Sequence, residues 1–207
     1  MAKYPAQRRT QAERREETRS RIIEAAISEL LHNGYAGIRV DKVAIAAKVS
    51  RGAQSHHFPT KESLVLAALE TLYQASTEVS MKVIDNLASE DVLDALMQES
   101  AKFYLGPNFT IAMSLLNLGD SNPELRKKVR IMARKYRLPI EKAWLDALTR
   151  SGLDEEPART VLSITQSVYR GMTTRRFLRN DPEYASFTFE QWSKIARAFM
   201  NQHSLKR

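Results

Sequence analysis

Apolar residues appear early in this chain as adjacent pairs at four-residue steps: Ile22-Ile23, Ala26-Ile27 and Leu30-Leu31. That spacing keeps all six on one side of a 3.6-residue helix, so it predicts a first helix with one buried stripe. Gly34 predicts its end, because glycine accepts the left-handed backbone that commonly closes a helix. A polar lead-in with one proline, residues 1 to about 12, predicts a flexible basic arm, taken to 1–16.

The pattern then shortens. Val40, Val43, Ala44 and Ala47 define the inner face of a short helix, and Val49 is an inward apolar residue in the turn after it. Ser50 is a good N-cap for a second short helix. Pro59 cannot continue that helix and also biases Phe58 out of helical geometry. Thr60 caps a third helix with apolar face Leu64, Val65, Ala68, Leu69 and Leu72. Beyond about residue 80, longer helical patterns lie near 90–105, 109–119, 123–151, 155–179 and 188–202. Gly106-Pro107, Asn122-Pro123, Ser151-Gly152, Asp181-Pro182 and Ser186 separate them. Pro139 falls inside one and predicts a kink. No stretch alternates with period two, so the expected fold is all-α.

Helix, tight turn and second helix over about 39–58 form a unit that can enter a DNA major groove. The first helix braces the second through small residues, and the second presents its N-terminal end to base edges. Arg51 stands in that first turn, where a guanidinium can bond guanine O6 and N7 together. Gln54 could pair with adenine or bond the helix beneath it. His56 and His57 can donate to phosphates, and Lys61 adjoins the anion-favouring start of the third helix. A metal site at His56-His57 is disfavoured, since adjacent helical residues diverge by about 100° and no third ligand clusters with them.

Charge supports a polyanionic partner. The net formal charge is +8, and residues 1–60 hold eleven Lys or Arg against six acids. There is no cysteine, which removes disulfides, thiolate catalysis and cysteine-zinc sites. No apolar run approaches the roughly 20 residues that span a bilayer, and the N-terminus lacks an apolar signal core. A cytoplasmic protein without a membrane partner is expected. No phosphate loop, serine elbow or His-Glu metal spacing is found, so neither enzyme activity nor a cofactor is expected.

Val49-Ser50-Arg51-Gly52, Ala53-Gln54-Ser55, His56-His57-Phe58 and Pro59-Thr60-Lys61-Glu62, followed by Leu64, stand in an order that resembles the TetR (tetracycline-repressor-like) family of bacterial transcriptional regulators. With the preceding helix, the likeness runs over about 17–66. It implies an all-helical homodimer whose N-terminal three-helix domain binds double-stranded DNA. By this resemblance Arg51, Gly52 and Ala53 approach base edges, while Ser55, His56, His57 and Lys61 contact phosphates. Arg39, at the start of the first motif helix, is a further contact. The sequence departs from the pattern at Ser55, commonly Tyr, and at Gln54, usually an inward Leu. Lys48 replaces a turn glycine, and a left-handed Lys costs about 1–2 kcal/mol. Arg39 stands where Ser or Thr usually caps.

The resemblance also assigns 67–207 to effector binding and dimerisation. Effector pockets are mostly apolar with a few placed polar groups. The candidate lining is Phe103, Tyr104, Phe109, Met113, Trp144, Leu148, Tyr169 and Met172, with Asn117 and Thr165 as polar groups. Helices 155–179 and 188–202 each carry an apolar face, which suits pairing of two identical copies. The expected function is a repressor released from a pseudo-palindromic operator by a small molecule. The alternative is a ligand-independent activator or a DNA-bound adaptor of the same fold.

Overall fold

The computed structural model describes residues 10–87, 92–116 and 122–204. Among them run α1 (Gln11–Gly37), α2 (Val40–Ala46), α3 (Arg51–His57), α4 (Lys61–Asp85), α5 (Val92–Tyr104), α6 (Pro107–Leu116), α7 (Pro123–Arg150), α8 (Glu155–Leu178) and α9 (Pro182–His203). No strand occurs among the described residues. Leu153 and Ser204 form an isolated antiparallel bridge.

Two compact units divide the chain, one up to Thr71 and one from Leu72. In the first, α1 packs on α2 and α2 on α3. Its core is Ile22, Ile23, Ala26 and Leu30 of α1, Val43 and Ala44 of α2, Phe58, and Leu64, Val65, Ala68 and Leu69 of α4, all buried. In the second, α5 packs on α8, α7 on α6 and α8, and α8 on α9. Leu96, Leu115, Ile140, Trp144, Leu148, Ala158 and Val161 fill its centre, each 0% exposed.

Four expectations about element ends need correction. Residues 11–16 are helix rather than arm, because Thr10 and Glu13 close a capping box. The Glu13 amide donates to Thr10 Oγ1 at 3.2 Å, and the Thr10 amide donates to Glu13 Oε2 at 2.7 Å. Arm residues 1–9 lie outside the described residues. Gly34 breaks helical geometry as expected, at φ 63° and ψ −177°, but one more turn follows before the chain leaves at Ile38. The last helix begins at Pro182 and not near 188. Asp181 caps it by accepting from the Tyr184 amide at 3.1 Å, and Pro182 sits where its missing N–H costs nothing. Ser186 is therefore helical. Pro139 lies inside α7, which continues through it to Arg150. Finally, α6 starts at Pro107. Gly106 before it is obligatory: a Cβ there would lie 2.4 Å from the Lys102 carbonyl oxygen.

Candidate DNA interface and effector cavity

The turn between α2 and α3 is built as the sequence requires. Lys48 holds φ 54°, the left-handed conformation that a glycine would adopt without strain. Its amide bonds Ile45 O at 3.0 Å and the Val49 amide bonds Ala44 O at 3.0 Å, which fixes the angle between the helices. Ser50 Oγ then accepts from the Ala53 amide at 3.1 Å and starts α3. Thr60 and Ser63 cap each other across the start of α4, at 3.0 and 3.2 Å.

α3 turns a continuous polar face to solvent. Arg51, Gly52, Ser55 and His56 are exposed, and Ala53 and His57 are half-buried. Positions 51, 52, 55 and 56 share one side of the helix, as steps of three, four and five residues do. Gln54 is the exception among the candidate DNA contacts. It is 2% exposed, and its Nε2 donates to Phe58 O at 3.2 Å. The bond to the protein beneath, not base reading, is the role this geometry supports: α3 winds position 54 onto the core side, and the carboxamide closes the helix's last turn.

Arg39 begins α2 without a side-chain cap. Its guanidinium instead grips Asp41 in two bonds, 3.2 and 2.8 Å, which hold the Asp41 carboxyl below the usual carboxylate range. Lys61 folds back onto its own unit, with Nζ 4.7 Å from the centre of the Tyr35 ring and 3.5 Å from Ala36 O. His57 is pushed below its ordinary value, first by burial and then by the charges of Arg15, His56 and Arg19. Two cations of α1 therefore face the same end of α3. Arg19 also lies 5.7 Å from the Phe58 ring centre.

In the second unit a cavity of about 470 Å³ opens among α4, α5, α6, α7 and α8. Phe103, Tyr104, Phe109 and Met113 line it, as expected. The other expected residues are placed elsewhere. Trp144 and Leu148 are fully buried core of α7. Thr165 is 0% exposed and accepts from Trp192 Nε1 at 2.9 Å. Tyr169 is buried and stacks on Phe189 with centroids 4.4 Å apart. Met172 lines a smaller cleft of about 180 Å³ beside α9. In each case helical spacing alone does not distinguish a core side chain from a cavity wall. Asn117 lies outside the described residues.

The cavity's charged wall went unanticipated. Arg126, Arg130, Arg134, Arg137 and Arg170 line it, against one carboxylate, Glu141. Four of these arginines follow one another on α7 at steps of four, four and three, a stripe visible in the sequence as a basic face on an otherwise amphipathic helix. Arg137 is buried against Glu99 (Nη1 to Oε1, 3.1 Å), which also accepts from Ser80 Oγ at 2.7 Å. Tyr73 of α4 completes the wall, its phenol pushed up to about 12 by burial.

A capped recognition helix in one helical unit and a walled cavity in another define a helix-turn-helix regulator. Residues 22–68 match the family model "Bacterial regulatory proteins, tetR family". The HTH-type transcriptional regulator CymR of Pseudomonas putida is 40% identical over 191 residues, 92% of this chain and 94% of that protein. Two solved structures share the fold. A TetR transcription regulator of Haloarcula marismortui has a TM-score of 0.67 at 18% identity, over 92% of this chain and 100% of that one. Bacillus subtilis FadR in complex with stearoyl-CoA has 0.58 at 21% identity, over 87% and 97%. The chain belongs to the tetR family of bacterial regulatory proteins, and it is a DNA-binding transcriptional regulator. No described helix is long and apolar enough to cross a membrane.

Proposed function

We propose that this regulator is a homodimeric repressor that a small molecule releases from a pseudo-palindromic operator. The observation that carries the reading is the pairing of an outward polar face on α3 with a cavity of effector size in the second unit. Arg51 reads a base pair, Gly52 and Ala53 allow close backbone approach, and Ser55, His56, His57 and Lys61 hold phosphates. Arg39 joins them if it exchanges Asp41 for DNA.

Dimerisation through α8 and α9 is supported by apolar side chains left in solvent there. Ile164, Phe187 and Ile195 are 40%, 60% and 60% exposed, and a two-fold axis would let each patch cover its copy. Effector occupancy acts by differential affinity for two arrangements of the dimer. Tyr73 is the cavity residue on α4, the helix that starts beside α3, and it gives occupancy a route into that helix.

The test is selection of genomic fragments by the purified chain at physiological salt, followed by footprinting of the bound site. A two-fold symmetric sequence is expected, and absence of sequence preference would refute the reading. Arg51→Ala should relax specificity at one base pair per half-site, at about 1–3 kcal/mol.

A further inference from the structure

Arg137 offers something that the protein does not use. Its side chain is 10% exposed, and Nη1 is committed to Glu99. Nε and Nη2 are buried and have no hydrogen-bond partner. These two nitrogens form one edge of the guanidinium, the fork that matches both oxygens of a carboxylate. Cζ of the same group lies 3.7 Å from the Phe103 ring centre, and with the Glu99 bond this contact holds the fork in place. Unpaired buried donors are rare in folded proteins, because each has lost its water without replacement.

The surroundings say what the missing partner is. Five arginines line the cavity that Arg137 borders, and even with Glu99 paired to Arg137 and Glu141 to Arg170 at 3.7 Å the cations outnumber the acids, so its potential favours an anion. Beyond the arginines, Glu141 and the hydroxyls of Tyr73 and Tyr104, the wall is apolar. Phe109 meets Tyr104 edge-on at 5.0 Å and Phe103 at 5.8 Å, with Ala112, Met113 and Leu116 beside them. A heavily hydrated dianion would lose too much solvation against such walls. A monoanion with an apolar body satisfies both halves.

We propose that the effector is a small organic monocarboxylate whose carboxylate is held by Arg137 Nε and Nη2 and whose apolar body fills the Phe103–Phe109 side of the cavity. Both nitrogens are shut off from solvent. A carboxylate reaches them only when the side chains that cover them move. The inference rests on effector control as proposed above, and it deepens that reading by naming the effector's chemical class.

The test is calorimetric titration of the full chain with benzoate, 4-tert-butylbenzoate, 2-naphthoate and octanoate, each beside its primary amide. Benzoyl- and octanoyl-coenzyme A form a third arm. At least one free acid should bind, and its amide should bind at least tenfold more weakly. Arg137→Lys, checked for folding by circular dichroism, should weaken the acid at least tenfold and leave the amide unchanged. Amide binding equal to acid binding overturns the proposal, as does failure of every acid at millimolar concentration. Binding of the thioesters alone overturns it too, since the recognised anion would then be the coenzyme's phosphate. Fluorescence anisotropy on the selected operator separates this inference from the repressor reading. Acid that binds without releasing DNA refutes effector control and leaves the carboxylate site standing. Release by a neutral compound alone does the reverse.

Discussion

Gly52→Ala separates what α3 needs for its own stability from what DNA needs of it. A Cβ built at Gly52 meets nothing nearer than Ser50 Oγ at 3.9 Å, and its φ is not positive, so the fold has room for a methyl group. Alanine is preferred to glycine inside a helix by about 1 kcal/mol, and the unfolded chain loses freedom as well. At the second position of a seven-residue helix, we expect roughly half of that, about 0.4–0.8 kcal/mol of added stability. For a chain of this size it amounts to about 1–3 °C in Tm. DNA affinity should move the other way. If the start of α3 lies against base edges, a methyl group at an exposed position next to Arg51 holds the backbone away. A loss of about tenfold, or 1.4 kcal/mol, is expected. Thermal melts and anisotropy titration on the selected operator at one fixed salt concentration measure the two effects separately. Unchanged affinity in a stabilised variant would show that the N-terminal face of α3 is not the docking face. A drop in Tm would show instead that the space around Gly52 has been misjudged.

Three other outcomes follow from local geometry. Lys48→Gly should stabilise the chain by about 0.5–1 kcal/mol in urea denaturation, because it removes the left-handed Lys at φ 54°; a destabilised variant would show that the Lys48 side chain contributes more than its backbone strain costs. Gly106→Ala should cost about 1–3 kcal/mol, since the new Cβ would sit 2.4 Å from a backbone oxygen that cannot rotate away; an unchanged urea midpoint would contradict that clash. His57, held below its ordinary 6.5 by burial and by Arg15, His56 and Arg19, gives two opposite pH trends. Its contribution to stability is complete above 6.5 and falls as the pH drops below that, because the unfolded state takes up the proton first. A phosphate beside it raises the bound-state value, so DNA affinity should rise as the pH falls from about 8 towards 6. His57→Gln should flatten both trends, and a pH-dependent affinity that survives the substitution would exclude His57 as a phosphate contact.

The DNA-binding unit was legible because its turn and caps are written in residue types with few alternative uses. Ser50, Thr60 and Pro59 mark ends, and Lys48 is strained where a chain reversal demands it. Thr10-Glu13 was equally readable as a capping box, yet it lies in a polar segment without an apolar stripe, and composition suggested an arm. At Asp181-Pro182 the punctuation suggests a break, whereas the same pair is a cap followed by a proline suited to the first turn of α9. Gln54 shows where residue type misleads. A polar side chain beside Arg51 looks like a base reader, but helical winding places it under the helix, and a carbonyl there satisfies it. The cavity was half legible. Phe103, Tyr104, Phe109 and Met113 differ from Trp144 and Leu148 only in what the neighbouring helices leave open, and one-dimensional spacing holds no record of that.

The Arg137–Glu99–Ser80 cluster carries a final argument about why those residues are where they are. A buried ion pair adds little net stability, because the water both ions lose offsets their attraction. This pair is poorer than most, with two guanidinium nitrogens left without partners. If the cluster served only to hold the helices together, an apolar trio would serve better. Removing one partner, as in Arg137→Met, should cost about 3–5 kcal/mol by stranding Glu99, whose side chain is 5% exposed. Removing both, as Arg137→Met with Glu99→Leu, should restore the original stability or exceed it by about 1–4 kcal/mol. The urea midpoints of the two variants decide the matter. A double variant at least as stable as the parent chain, but unable to bind the carboxylic acid that the parent binds, would place the cluster's purpose in recognition. A double variant as unstable as the single one would return the cluster to the scaffold, and the unpaired nitrogens would then be a defect of packing.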